Sequence, residues 1–302
     1  MNIRIFFSGF LILLLTACST FSTVSFGQEH PASFPTITSV EPVWQPLAEG
    51  IGYFHGRIDL PRLEFWALQI DLLSPNIEIV VRSGAASSGA ANSGINTENN
   101  RSLNTRVSSF VNDNNLIAGI NAVPFDISSS REGQPIQNMG IVVSNGIQLS
   151  PINSRYDALV IYRNGRAAIV NQSSIRSAEN ISNAVGGFYQ ILTNGVPAQR
   201  TQNNENRHPR SAGGVSANGR YLYLLVIDGR RTASIGSTEA ETALLLTCLG
   251  SWNGINFDGG GSSALAMRFA DNNVRVVNTP VHGGIPGLER AVAGCIGVYI
   301  KN

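Results

Sequence analysis

Two segments of the chain each deliver an aspartate, followed by residues suited to binding an anion, at the end of an apolar run. One is Tyr221 to Ile227 followed by Asp228, Gly229 and Arg230; the other is Gly254 to Phe257 followed by Asp258, Gly259, Gly260, Gly261, Ser262 and Ser263. Three glycines in a row cost more conformational entropy than any other choice and pack nothing, so they serve something other than stability. Amides with no side chains over them can turn to one concave side and hold an anion, and Ser262 and Ser263 add hydroxyl donors. Arg210 and Arg230 contribute planar forks that match phosphate oxygens in pairs. Together these residue types suit a phosphate held beside a carboxylate.

Each feature alone also has a purely structural explanation as a turn or a solvated surface group, and the signal is their coincidence between residues 208 and 267. Glu241 is explained by its place in Thr238-Glu239-Ala240-Glu241, a helix capping box. Glu239 has no such explanation and stays a candidate, and His208 joins it because it lies two residues from Arg210. The four histidines show no zinc spacing, and there is no nucleophile elbow or phosphate-binding loop motif. The Asn/Asp-rich stretches at 111–115 and 201–207 lack the glycine and closing glutamate of a calcium loop. No metal ligand set or cofactor motif is evident, although a Ca²⁺ or Mg²⁺ ion is compatible with the carboxylates.

The elements that must position these groups follow from apolar periodicity. Leu103, Val107, Phe110 and Val111 recur at helical spacing ahead of a strand, Leu116 to Ala122; the capped helix after Thr238 ends at Gly250 ahead of a second strand. Both units finish in Gly-Ile-Asn, which puts Asn121 and Asn256 at two strand ends that would face one cleft. Residues 63–82 read as two strands around Ser74-Pro75, Tyr221 to Ile227 as a strand buried on both faces, and Asn-Gly pairs at 145, 164 and 194 as hairpin turns. Residues 83–101 are small and polar with no period, and read as a flexible loop. If the strands ending in Asp228 and Asp258 are neighbours, both carboxylates reach one sheet edge. The expected class is α+β, a single domain on a large mixed sheet with a few packed helices.

The first residues read as an export leader: Arg4, an apolar run from Ile5 to Leu15 too short to span a bilayer, then Leu15-Thr16-Ala17-Cys18. That tetrapeptide resembles a bacterial lipobox, so residues 1–17 are expected to be removed, Cys18 to carry lipid, and 18–45 to tether a domain over 46–302. The expected location is the cell envelope, outer membrane or periplasm facing. Cys248 and Cys295 both lie in apolar runs, which leaves a disulfide and two buried thiols equally open. A net charge of +1 with 14% charged residues implies no nucleic-acid partner.

The block from Arg207 to Met267 resembles the signature of the phosphodiester glycosidase family: Pro-Arg-Ser-Ala, Asp-Gly-Arg after a strand, Thr-x-x-Glu opening a helix, and Asn-x-Asp-Gly-Gly-Gly-Ser-Ser. Looser likeness covers about residues 60–300, with Asn121 in the family's asparagine strand and Arg290 at the closing strand. The chain departs from the pattern at Asn121-Ala-Val-Pro-Phe-Asp126 and at Ser211-Ala-Gly after Arg210. The resemblance implies hydrolysis of a sugar-1-phosphodiester to free sugar and a phosphomonoester, on an envelope or exopolysaccharide glycan. It also implies Asp258, Asp228, Arg210 and Asn121 as the catalytic set. Asn256, the glycines, Ser262, Ser263, Arg230, His208 and Glu239 would bind substrate. The alternative on the same fold is a surface lipoprotein that binds glycans or anions without turnover.

Overall fold

Alternate residues of the strand Tyr221–Ile227 face two different layers. Leu222, Leu224 and Val226 pack with Trp66, Leu68 and Ile70 against a second sheet, while Tyr223, Leu225 and Ile227 pack with Leu63, Phe65 and Ala67 against helix α2 (Glu239–Leu249). A strand covered on both sides reads as an unbroken apolar run, and this one does. The computed structural model describes Ile37 and residues 40–83, 95–96, 101–126 and 131–301. The leader, Cys18 and most of the 83–101 loop lie outside the described residues.

The first sheet has eight strands, in the order Gln45–Ala48, Ile51–Asp59, Arg62–Asp71, Tyr221–Ile227, Arg210–Val215, Asn253–Asn256, Tyr189–Thr193, Val196–Pro197. The second has five: Val274–Val276, Leu265–Arg268, Ala118–Asn121, Gly294–Ile300 and Ile77–Ser83. Their facing sides enclose the main core, including Leu68, Leu224, Ile255 and Phe257 from the first and Val81, Ile120, Leu265 and Ile296 from the second. Helix α1 (Val107–Asp113) covers the outer face of the second sheet through Val107, Phe110 and Val111. Smaller sheets of five, four and two strands complete the body.

This corrects the expected large mixed sheet. The paired strands run antiparallel throughout the named sheets, and two helices among the described residues are too few to supply parallel crossovers. The two strands in 63–82 do form around Ser74-Pro75, but they enter different sheets. Within the segment expected as a tether, Ile37 is buried against α2, with Val40 and Trp44 packed beside it. Cys248 and Cys295 are free thiols: Cys248 donates to the Ile37 carbonyl at 3.5 Å, and Cys295 is buried in the cluster beneath α1.

One side chain joins the two main sheets. Asn121, fully buried at the end of its strand, donates from Nδ2 to the Asp258 carbonyl at 2.6 Å. Its Oδ1 accepts from Ser211 Oγ at 2.7 Å and from the Ala264 amide at 3.2 Å. The Asp258 amide donates to the Ala122 carbonyl at 2.9 Å, so the backbone on both sides of the Asp258 side chain is clamped to the Asn121 strand end. Helix α2 is fixed by the capping box read from its sequence, Thr238 with Glu241, and by Gly250 in the left-handed region at φ 107°.

Asn121→Ala leaves three buried partners unsatisfied and is expected to lower unfolding free energy by about 3 kcal/mol, read by urea denaturation. Thr238→Ala is expected to cost about 1 kcal/mol in the same measurement.

Candidate active site

The strands Tyr221–Ile227 and Asn253–Asn256 are not neighbours, as the sequence reading required for their aspartates to meet. Arg210–Val215 lies between them and runs antiparallel to both, with Arg210 opposite Ile227 and Ala212 opposite Asn256. Two strands antiparallel to the same middle strand point the same way. Asp228, Asp258 and the start of the middle strand at Arg210 therefore emerge at one edge. Gly213 makes the strands fit, because a Cβ there would lie 2.7 Å from the Phe257 ring.

The two aspartates meet different surroundings. Asp228 is buried and its carboxylate is fully occupied: Asn278 Nδ2 and the Thr279 amide each donate to Oδ1 at 3.0 Å, and Arg231 Nη1 donates to Oδ2 at 2.5 Å. Burial raises its pKa, and those donors pull it back down. Asp258 has a buried Oδ2 with no hydrogen-bond partner. Burial pushes its pKa up to about 6, against the opposing pull of the Ser262 hydroxyl, the Arg290 charge and the Gly259 amide.

Other unpaired buried atoms belong to the same surroundings. Asn256 Oδ1, Ser263 Oγ and Arg290 Nε also lack partners, so four of the six such atoms among the described residues come from the Asp258 strand end, its turn and the arginine facing it. Buried polar groups are normally satisfied, so a group of exceptions gathered in one place marks a candidate functional site.

The expected anion nest in Gly259 to Ser263 is not formed by successive free amides. Gly260–Ser262 is a 3₁₀ turn, and three amides of the stretch are already used: Gly260 N–H donates to the Pro209 carbonyl at 2.8 Å, Ser262 N–H to Gly259 at 3.2 Å and Ser263 N–H to Gly260 at 3.4 Å. The glycines act by close approach. A Cβ at Gly259 would sit 2.9 Å from the Pro209 carbonyl oxygen, and Gly260, at φ 63°, leaves room for Arg230, whose Nη2 lies 3.1 Å from the place of a Cβ. Arg230 is itself left-handed at φ 57°, a rare backbone state for arginine, and is exposed over the turn.

Arg210 is buried and pinned, donating from Nε to the Ser237 carbonyl at 3.2 Å and from Nη2 to the Asn206 carbonyl at 3.1 Å, with Nη1 3.7 Å from Glu239. Burial lowers its pKa and Glu239 raises it. His208 lies in the field of Arg210 and Arg230, and burial together with those charges depresses its pKa, which favours the neutral ring. Glu241 is held by Arg207 as well as by the capping box, so it belongs to the scaffold.

Two groups were not among the candidates. Arg290 donates from Nη1 to Ser262 Oγ at 3.3 Å, with its guanidinium 5.0 Å from the centre of the Phe125 ring. His282 lies against the glycine turn, its Nδ1 3.4 Å from the place of a Gly261 Cβ, with a pKa lowered by burial and by Arg290. The sequence showed an arginine ahead of the closing strand but no spacing that tied it to Asp258, and His282 carries no motif at all. Among the described residues no group of three or more His, Cys, Asp or Glu is arranged to hold a metal ion.

The family model of phosphodiester glycosidases matches residues 114–299, which contain both aspartates, the glycine turn and Arg290. No curated protein matches the chain in sequence. Among solved structures, it is similar to the catalytic domain of zebrafish N-acetylglucosamine-1-phosphodiester alpha-N-acetylglucosaminidase, auto-inhibited by its pro-peptide. That match has 17% identity, a TM-score of 0.61, and covers 87% of this chain and 85% of that one. A hypothetical protein from Synechocystis matches at 16% identity and TM-score 0.57, covering 87% of this chain and 64% of that one. A putative exported protein from Burkholderia pseudomallei matches at 14% and 0.58, covering 78% and 74%. These identities speak to the fold alone, while the family model spans more than half of the chain: this protein belongs to the phosphodiester glycosidase family.

Proposed function

We propose that the protein hydrolyses the glycosidic bond of a sugar-1-phosphodiester, giving free sugar and a phosphomonoester. The observation that carries this reading is Asp258, a carboxylate with an unpartnered buried oxygen at a sheet edge that also bears three arginines, Arg210, Arg230 and Arg290. The leaving phosphate is already a stable anion, so no general acid is required, unlike the usual pair of carboxyl groups for an alkoxide leaving group. Arg230 and Arg290 bind the phosphate and take up its developing charge. Asp258, ionised, serves the anomeric carbon as base for water or as nucleophile. Asn256 and Ser263 meet sugar hydroxyls through their unpaired oxygens. Asp228, whose oxygens are occupied, and Asn121, whose amide joins the sheets, hold this arrangement in place, and Glu239 with His208 fixes Arg210. A lipid anchor at Cys18 would hold the enzyme at the cell envelope, beside an envelope or exopolysaccharide glycan as substrate. Among the described residues no helix is long and apolar enough to cross a membrane.

A panel of sugar-1-phosphodiesters is incubated with protein lacking the leader and anchor, in EDTA and with added Ca²⁺ or Mg²⁺. Wild type is expected to release reducing sugar together with phosphomonoester, and Asp258→Asn to lower kcat by about 10²–10⁴-fold. Binding of panel members without turnover by wild type would replace this reading with that of a glycan-binding lipoprotein.

The raised pKa gives a pH signature with a definite sign. Catalysis needs ionised Asp258, so kcat/KM is expected to fall as pH drops below about 6. In the folded protein the carboxyl holds its proton more tightly than in the unfolded chain, so stability from this group is present at low pH and lost as pH rises from 3.8 to about 6. Asp258→Asn is therefore expected to be more stable than wild type by about 2–3 kcal/mol above pH 6, with the gain disappearing below pH 4 in thermal unfolding.

A further inference from the structure

Helix α1 has no side-chain cap of its own: its N-cap position is Arg106, which makes no capping hydrogen bond. Its first amides are served from distant parts of the chain. Glu132 accepts from the Arg106 amide at 2.8 Å, and Glu289 accepts from the Ser108 amide at 2.9 Å and from Ser108 Oγ at 2.5 Å. Carboxylates at a helix N-terminus pair with free amides and with the positive end of the helix dipole. Glu289 is largely enclosed there; burial raises its pKa and the Ser108 and Val107 donors hold it down.

The residue after Glu289 is Arg290, and two residues further Val292 exchanges backbone hydrogen bonds with Thr105, at 3.0 and 2.8 Å. Arg290 is thus fixed on both sides to the segment that opens α1. Its guanidinium lies on Phe125 and donates to Ser262, and the Arg290 charge together with the Ser262 hydroxyl favours the ionised Asp258 carboxyl. On the other side of Glu289 lie six consecutive exposed residues, Gly283 to Leu288, including three left-handed glycines at which a Cβ would meet nothing within 4 Å. That stretch is the exposed part of a small hairpin, Val281–His282 paired with Ile285–Pro286 and closed by the Gly287 amide on the Pro280 carbonyl at 2.8 Å, whereas the contacts of Glu289 and Val292 run to the segment that opens α1.

We propose that Glu289 is a positioning residue for the reaction: by docking on the N-terminus of α1 it holds Arg290 against Ser262 and Asp258. The inference rests on the hydrolytic reading of the site for its kinetic consequence, but its geometric content can be measured without turnover. A glutamate that only stabilised α1 would leave Arg290, and therefore the ionisation of Asp258, unchanged when altered.

The test follows the Asp258 carboxyl carbon by NMR through a pH titration of wild type, Arg290→Gln, Glu289→Ala and Glu289→Gln, with Tm recorded for each. Removing the guanidinium in Arg290→Gln is expected to raise the Asp258 midpoint by about 0.5 unit or more, since an opposite charge nearby favours the ionised form. Glu289→Ala is expected to reproduce most of that rise, and Glu289→Gln, which keeps an acceptor for the Ser108 amide and a partner for its hydroxyl, to restore the wild-type midpoint. A Glu289→Ala protein that loses Tm but titrates at Asp258 like wild type would overturn the proposal. Should Glu289→Ala not fold, Ser108→Ala takes its place, with a smaller rise expected and a wild-type midpoint overturning it. In the kinetic arm, Glu289→Ala is expected to lower kcat/KM on a sugar-1-phosphodiester by about 10-fold or more, as misplacement of a binding group does. If wild type turns over no phosphodiester, the hydrolytic reading fails, and the titration still decides the role of Glu289.

Discussion

The peptide groups on either side of the Asp258 side chain are held by one strand end of the opposite sheet, the amide by Ala122 and the carbonyl by Asn121. The packing of two antiparallel sheets fixes where that strand end lies, and Asn121 converts the fixed position into a fixed backbone for the carboxylate. Because Asn121 also binds Ser211, in the strand that begins with Arg210, the same amide sets the acid and the first arginine in one frame. A substitution in the Asn121 strand therefore acts on the site without touching substrate. The proline at residue 124, three positions on, leads the chain directly away from this clamp to Phe125, on which Arg290 rests.

Asp228 and Asp258 differ in how far each buried carboxylate is compensated. Both are removed from water, which disfavours ionisation. Asp228 is compensated by a guanidinium and two N–H donors, so its charge is tolerated and its geometry locked. Asp258 is compensated in part, and the remainder appears as a carboxyl poised near pH 6 with an oxygen facing no partner. Perturbed groups of this kind concentrate at functional sites, where stability is given up for reactivity.

Much of this was legible in the sequence because local rules dominate at the relevant places. The α2 capping box, the doubly buried strand Tyr221–Ile227 and the Asn-Gly hairpins are set by residues within a few positions of each other, and all are formed. The sheet organisation was not legible, because pairing partners such as Arg210–Val215 and Asn253–Asn256 are brought together by long-range packing that leaves no local mark. The glycine turn was half legible: its glycines announce a special backbone, but whether its amides face outward or inward depends on the Pro209 carbonyl, just ahead of another strand. The roles of Asn121 and Asp228 were hidden for the same reason, since a side chain's partners 137 or 50 residues away cannot be read from its own segment.

Both helices place their N-terminal ends toward the elements that carry the site arginines. At α2, the Ser237 carbonyl just before the cap accepts from Arg210, while Glu239 in the first turn lies beside the same guanidinium. At α1, the first amides are met by Glu289, next in sequence to Arg290. The α2 end is satisfied by Thr238 and Glu241 and the α1 end by Glu132 and Glu289, so acidic side chains offset the positive end of each dipole near these guanidiniums. For the proposed binding of a phosphate by these arginines the arrangement matters, because bare helix N-termini would add further positive charge beside a guanidinium already destabilised by burial. Glu239 thus balances the charge of Arg210, while Glu289 anchors the chain beside Arg290 to α1, and in the proposed reaction this leaves Asp258 as the carboxylate that meets the sugar.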